Sequence, residues 1–420
     1  MLTDLRRDAD QIIQESLKAV SPEAAVARAL EEFAPGPGRT ILLSVGKAAW
    51  RMANAAVSRL GAPDKGLVIT KYGHSEGSIG GVAVREAAHP VPDEAGFAAT
   101  REALAMVSGL TADDTVLFLL SGGGSALFEA PLVSPEELQA VTKALLASGA
   151  DFTEINTVRK RLSGVKGGKF AAACAPARIF CVILSDVLGD RPDVIASGPA
   201  VRDLSTAAEA LAVAEKYRLP LSRKARELLA EEPPADLPPT QIRVTGSVRE
   251  LVKASEAACR ALGYDSLVLT DSLSCEAKDA GRELGALASF YTRLGRPAAV
   301  LAGGETVVKL TGSGLGGRNQ ELALAAAEGL AGLPAAVFSL GSDGTDGPTD
   351  AAGGYTDGDS LRELRLAGFE PVEVLKQNDA YHALKAVGGL LMTGPTGTNV
   401  NDVAVLLCRP SDKNKPEETA

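Results

Sequence analysis

The stretch TVLFLLSGGGSALFEAP runs an apolar strand directly into Ser121, Gly122, Gly123, Gly124 and Ser125. Three glycines let the backbone turn its amides inward and approach a bound carboxylate or phosphate closely. A plain turn needs less glycine, because each one costs chain entropy on folding. The segment therefore predicts an anion nest. Upstream, ILLSVGKAAWRMANAAV ends a strand at Gly46 and opens a helix with Lys47. A cation in a first helical turn opposes the helix dipole, so its placement suggests an anionic partner. The segment is not a P-loop: the pattern is absent, and Ala48 replaces the magnesium-binding hydroxyl. Taken alone, a surface role for Lys47 stays open.

Two further segments carry charge. NTVRKRLSGVKGGKF places Arg159, Lys160, Arg161, Lys166 and Lys169 around Gly167 and Gly168, enough positive charge to neutralise a polyphosphate. CVILSDVLGDRPDVIASGP puts Asp186 directly after a buried strand, where an acid can act as a metal ligand or base, or simply cap a loop or helix.

In AVLAGGETVVKLTGSGLGGRNQELALAAAEGL, the first glycine cluster, Gly303 and Gly304, precedes Glu305. Gly312, Gly314 and Gly317 spell G-x-G-x-x-G, a weak match to the dinucleotide fingerprint because the preceding strand reads as half of a hairpin. Behind them stand Arg318, Asn319 and Gln320, polar groups suited to a ligand; an arginine there can neutralise charge on a transferred phosphoryl group. FSLGSDGTDGPTDAAGGYTDG gathers Asp343, Asp346, Asp350 and Asp357 in a Gly/Pro-rich loop whose spacing fails the calcium-loop pattern. Such carboxylates suit Mg²⁺ or deprotonation of an attacking hydroxyl, with a solvated turn as the alternative. GPTGTNVND, with Gly394, Thr396, Thr398, Asn399 and Asp402, is another candidate polar lining.

These groups need a scaffold, and 420 residues with 45% hydrophobic content supply cores for two or three domains. A formal charge of -10 means that no global positive field attracts nucleic acid or an anionic membrane, so any anion is held by a local cluster. The scattered Cys174, Cys181, Cys259, Cys275 and Cys408 suit reduced thiols, and only three histidines accompany them, which argues against a His/Cys zinc site. No apolar stretch approaches the ~20 residues that span a bilayer, and no signal region is apparent at the N-terminus; the expected location is the cytoplasm.

Apolar residues at helical spacing, Leu5, Ala9, Ile12, Ile13, Leu17 and Val20, predict a first helix that packs on a domain. Buried strands are predicted at 41–45, 67–70, 116–120 and 179–184, alternating with helices at 94–110 and 134–147, the pattern of a parallel sheet covered on both faces. EEPPADLPPT, at 231–240, forbids helix and marks a domain boundary. Beyond it, helices are predicted at 249–262 and 276–294, and strands at 266–270, 299–302, 307–310, 337–340 and 403–407. The short gap after 302 implies a hairpin with 307–310 and a mixed sheet. The fold class is thus α/β: a Rossmann-like parallel-sheet domain over 1–232, a smaller α/β domain with a mixed sheet over 240–410, and a disordered tail at 411–420.

The series SVGKAA, HPVPDEAG, LLSGGGSAL, INTVRK with KGGK, LSDVLGD with ASGP, AGGET, GGRNQELAL, SDGTDGPTDAAG and GPTGTNVND resembles the glycerate 2-kinase family, whose C-terminal half is known as MOFRL and whose members are often labelled hydroxypyruvate reductases. The resemblance spans about residues 41–407. It implies a two-domain enzyme that uses ATP and Mg²⁺ to phosphorylate the 2-hydroxyl of D-glycerate in a cleft between the domains. On that pattern Lys47 and Arg318 are the charged catalytic pair, the loop Ser121–Gly122–Gly123–Gly124–Ser125 with Asn319 cradles substrate or phosphate, and Asp343 or Asp346 is base or metal ligand. The same reading assigns the nucleotide to Lys166, Lys169, Gly303, Gly304 and Glu305, and metal to Asp186 and Asp346. The expected partners are D-glycerate and ATP, with neither nucleic acid nor membrane, in a monomer or small homo-oligomer. Two other classes stay in view: an NAD(P)H-dependent hydroxypyruvate reductase, and a sugar-acid-binding regulator without catalysis.

Overall fold

A computed structural model describes residues 2–411. Largely apolar runs such as TILLSV and TVLFLL are stable only where both faces of a strand are covered, and that is where they lie. In the first sheet, β1 is Thr40–Val45, β2 Lys65–Lys71, β3 Ala83–Ala87, β4 Thr115–Leu120, β5 Arg178–Leu184 and β6 Thr240–Gly246, in the order β3-β2-β1-β4-β5-β6. From β3 through β5 all pairings are parallel. Alternate residues feed two cores: Leu43, Val45, Phe118 and Leu120 point into one, and Leu42, Leu117, Leu119 and Val182 into the other.

The order reverses beside β1, whose chain neighbours β2 and β3 lie to one side and β4 and β5 to the other. Such a switch point opens a crevice outside the carboxyl ends of the strands, because the connecting segments leave in opposite directions. Val45 is in register with Leu120, so Gly46 and Ser121 emerge side by side.

The second sheet comprises β7 (Asp265–Leu273), β8 (Ala298–Gly304), β9 (Ala335–Gly341), β10 (Gly353–Asp357), β11 (Leu390–Leu391) and β12 (Asp402–Cys408), ordered β11-β10-β9-β12-β8-β7. It is mixed, as expected, but for a different reason. Residues 307–310 form no strand; apart from one isolated bridge between Val307 and Glu276 the segment is irregular, and its side chains are largely exposed. The antiparallel members are instead β12, between β8 and β9, and β10 against β9.

Helix Arg318–Leu330 is buried over most of its circumference. It lies so close to Ala277–Tyr291 that a Cβ at Gly281 or Gly285 would overlap the backbone of Leu322 or Ala326, which explains both glycines.

Two compact units result: Pro22–Thr245, and the described part of Met1–Ser21 with Gly246–Ala420. Both expected boundaries therefore shift. The first helix, Leu2–Ala19, belongs with the second sheet: Ser16 Oγ lies 2.8 Å from Ser255 Oγ, and Asp8 accepts the Tyr264 hydroxyl and Arg409 Nη2, each at 2.6 Å. At the proline-rich segment, the chain first returns to the first sheet as β6, where the Ile179 amide donates to Pro239 O at 2.9 Å, before entering the second unit. Of the expected tail, only Ser411 lies within the described residues. No described helix is long and apolar enough to cross a membrane.

Candidate functional site

At the switch point the loop after β4 folds back on the start of the helix Ala49–Leu60. Lys47 N donates to Gly122 O at 2.9 Å and Ala48 N to Ser121 Oγ at 3.1 Å. Gly123 has φ +87 and opens the short helical turn Gly124–Leu127, so a left-handed residue reverses the chain where its amides must turn inward. The space around these glycines is occupied by function-bearing side chains. A Cβ at Gly122 would overlap the Asp186 carboxylate, and one at Gly123 would lie 3.1 Å from His89 Cδ2 and 3.3 Å from Lys47 Cγ. Thus Lys47, Ser121, Gly122, Gly123, Gly124, Ser125 and Asp186 are neighbours in this unit, and His89 joins them. Burial, with Lys47 second, holds His89 below the usual imidazole pKa, which favours a neutral ring.

The same unit adds Asn156 and Ser197, which sequence reasoning left out, and Arg159, which it counted only within the basic segment. Ser197 Oγ donates to Asn156 Oδ1 at 2.9 Å and lies 3.5 Å from Ser125 Oγ, while Arg159 Nη2 is 3.5 Å from Ser125 O. Their signal was present in the polar residues of the INTVRK and ASGP segments.

Two lysines assigned to the nucleotide are structural instead. Lys166 is wholly buried; it pairs with Glu129, and its ammonium also reaches Phe128 O. Burial still pushes it down to about 8. Lys169 spends its three donors on the carbonyls of Lys160, Arg161 and Ser163, at 3.0, 3.2 and 2.7 Å, closing the end of helix Phe152–Arg161.

In the second unit, Arg318 opens its helix and binds Asp402 through two nitrogens, Nε to Oδ2 at 2.5 Å and Nη2 to Oδ1 at 3.0 Å, with Glu305 3.6 Å from Nη1. Burial works against the Arg318 charge, and the Asp402 pair more than offsets it, holding the pKa above its ordinary value. Asp402, buried itself, stands above the usual carboxylate range despite its arginine. Asn401 Nδ2 donates to Glu305 at 3.2 Å, and a cavity of about 10 Å³ is lined by Asn319, Ser339, Thr306 and Asp402 among others.

Asn319 and Asp346 are not placed to hold ligand. Asp346 Oδ1 accepts the Asn319 amide and Nδ2, at 3.1 and 3.2 Å, and Oδ2 accepts the Gln320 amide at 2.8 Å, so it caps helix Arg318–Leu330. Asn319 is 1% exposed and its remaining end accepts Ser339 Oγ. Burial pushes Asp346 up to about 6 against those hydrogen bonds. Gly303 and Gly304 lie inside β8, where a Cβ would overlap Val252 or the backbone of Leu273, so they serve packing. Gly312 and Gly314 approach the backbone of Gln377 and the Asp379 region, which accounts for the G-x-G-x-x-G spelling without a dinucleotide. Asp343 uses Oδ1 within its own loop, accepting the Thr345 amide at 2.9 Å, and its carbonyl accepts the Thr396 amide. Among the described residues no three His, Cys, Asp or Glu side chains form a metal-holding group.

The DUF4147 family, described as a domain of unknown function, matches residues 8–230, and the MOFRL family matches 298–402. A D-glycerate 2-kinase of Thermotoga maritima is 50% identical, over 96% of this chain and 98% of the relative. A glycerate 2-kinase of Pyrococcus horikoshii is 39% identical, over 96% and 97%. The crystal structure of the Thermotoga maritima glycerate kinase superposes with a TM-score of 0.93 at 49% identity, covering 97% of this chain and all of that one.

Proposed function

The chain belongs to the glycerate 2-kinase family that carries a MOFRL domain, and from that premise we propose that it transfers the γ-phosphoryl group of ATP to the 2-hydroxyl of D-glycerate in a Mg²⁺-dependent reaction. The bond between the γ-phosphorus and the β,γ-bridging oxygen breaks, a bond from the 2-oxygen to that phosphorus forms, the hydroxyl proton passes to a base, for which Asp343 is the candidate, and then to water, and ADP departs.

The observation that carries this reading is the glycine loop at the switch point with Lys47 and Asp186 against it. Phosphoryl transfer asks the protein for positioning and charge stabilisation more than covalent chemistry. The Ser121 amide donates to Val45 O, so the amides of Gly122–Ser125 and the Lys47 ammonium are the groups that would supply fixed positive charge to oxyanions. In the other unit, Arg318 is a candidate cation held in a defined rotamer by Asp402, and Asp343 is a candidate acid with an oxygen outside its own loop's hydrogen bonds.

Mg²⁺ is commonly held by one or two carboxylates together with substrate phosphates and water, so a protein cage of three acids is not required. Asp186, partly exposed beside the glycine loop, fits that role; Asp346, with both oxygens on helix amides, does not. When bound, the metal neutralises charge on the phosphate oxygens.

The test is to supply the protein with ATP, Mg²⁺ and D-glycerate and follow ADP, and separately to supply NADH or NADPH with hydroxypyruvate. ADP formation that depends on D-glycerate is expected. Cofactor oxidation without ADP would replace the kinase with a reductase.

A further inference from the structure

Helix Phe152–Arg161 carries two polar residues nearly one turn apart, Asn156 and Arg159, that the chemistry above leaves unused. Asn156 is 5% exposed; Oδ1 accepts the Ser197 hydroxyl, while Nδ2 is buried without a hydrogen-bond partner. A buried amide donor left unpaired is costly, and a native fold that keeps one has a reason to do so. Arg159, partly buried, makes no ion pair among the described residues; its nearest acidic influence, Glu129, is paired with Lys166. Ser197 is held at φ +62 next to Ala196 at φ +50, two successive non-glycine residues in the left-handed region, a conformation retained only when surrounding structure enforces it. Its hydroxyl stands 3.5 Å from that of Ser125, the last residue of the glycine loop.

We propose that Asn156 Nδ2, Arg159 and the hydroxyls of Ser125 and Ser197 form an oxyanion subsite that binds the carboxylate of D-glycerate. The inference rests on the glycerate-kinase reading and deepens it. A guanidinium fork matches a planar carboxylate, a single uncompensated cation matches its single charge, and the carboxamide and hydroxyl donors complete the shell. Because Ser125 closes the glycine loop, a carboxylate held there keeps the 2-hydroxyl, on the adjacent carbon, beside that loop. A phosphate of ATP presents the same oxyanion chemistry, so the test must separate the two.

Full-length wild type, Arg159→Gln, Arg159→Lys and Asn156→Asp are titrated calorimetrically with D-glycerate and with glycerol, and KM is measured for D-glycerate and for ATP. Wild type is expected to bind D-glycerate and not glycerol. Arg159→Gln should raise Kd and KM for D-glycerate by roughly 10- to 100-fold, the scale of a hydrogen bond to a charged group, with KM for ATP unchanged. Asn156→Asp sets a carboxylate against a carboxylate and should do at least as much. Should that buried acid prevent folding, Arg159→Lys at its partly exposed position serves, and is expected to fall between wild type and Arg159→Gln. A rise in KM for ATP instead, no change in either constant, or failure of wild type to bind D-glycerate would overturn the subsite. Binding of D-glycerate by wild type without ADP formation would leave the subsite standing and remove the kinase reading.

Discussion

Replacing Asp346 with asparagine separates a helix-capping carboxylate from a metal ligand. Three donors converge on its two oxygens, two of them the first amides of a buried helix. Asparagine keeps one oxygen but turns an NH2 group toward one of those donors, leaving it unpaired at a cost of about 1–3 kcal/mol. Burial acts in the opposite sense, since it pushes the Asp346 pKa up to about 6 from the ordinary 3.8. The folded protein therefore holds this proton where the unfolded chain has released it, so wild type loses stability as pH rises through that window. At about 1.4 kcal/mol per pKa unit the full window amounts to about 3 kcal/mol, and about 2 kcal/mol of it falls between about pH 4.5 and pH 7.5. Asparagine has no proton to lose. The deficit of Asp346→Asn relative to wild type should thus narrow by about 2 kcal/mol across that interval, read from urea midpoints at each pH. A deficit that widens with pH would refute the reasoning, because the folded state would then favour the charge. Unchanged stability with an altered Mg²⁺ dependence would return Asp346 to the metal.

Other substitutions follow the same logic. Lys47→Ala should lower kcat by about two orders of magnitude or more while leaving the unfolding midpoint near that of wild type, since the lysine faces the glycine loop rather than a core. Arg318→Ala should lower kcat comparably and also cost roughly 1–3 kcal/mol in stability, because buried Asp402 loses its partner; kinetics and denaturation together check both parts. Lys166→Met should destabilise by about 3–5 kcal/mol by stranding the buried Glu129 charge, and the double change with Glu129→Leu should recover most of it in the same denaturation assay.

How far the fold was legible varied with the strand's place in its sheet. Central strands such as β1, β4, β8 and β12 are continuous apolar runs and read directly. Among the edge and near-edge strands, β2, β5 and β7 were also read, whereas β3, β6, β10 and β11 were not. β3, AVREA, and β6, TQIRVTG, are short, mixed in polarity and only partly buried, and β10, GGYTD, opens with the two glycines that let it approach β9. The opposite error, a strand expected at 307–310, came from β-branched residues that the chain leaves exposed. The first helix was predicted as an element, but its partner was not, since the Ser16–Ser255 and Asp8–Tyr264 contacts join positions over two hundred residues apart.

At the candidate site, the glycine loop at 122–124 was legible because glycine demand is local, whereas Gly303, Gly304, Gly312 and Gly314 answer close packing instead. Charged residues were less readable. Lys166 and Lys169 sit in the same basic segment as Arg159, yet the first two are consumed by Glu129 and by backbone carbonyls, and only tertiary structure tells them apart.

The central claim, phosphoryl transfer to the 2-hydroxyl of D-glycerate, is tested most directly by phosphorus NMR of the product formed from D-glycerate, ATP and Mg²⁺. An ester on the 2-oxygen couples to a single methine proton and gives a doublet, which is the predicted result. A triplet from an ester on the terminal methylene, or no new phosphate ester at all, would contradict it.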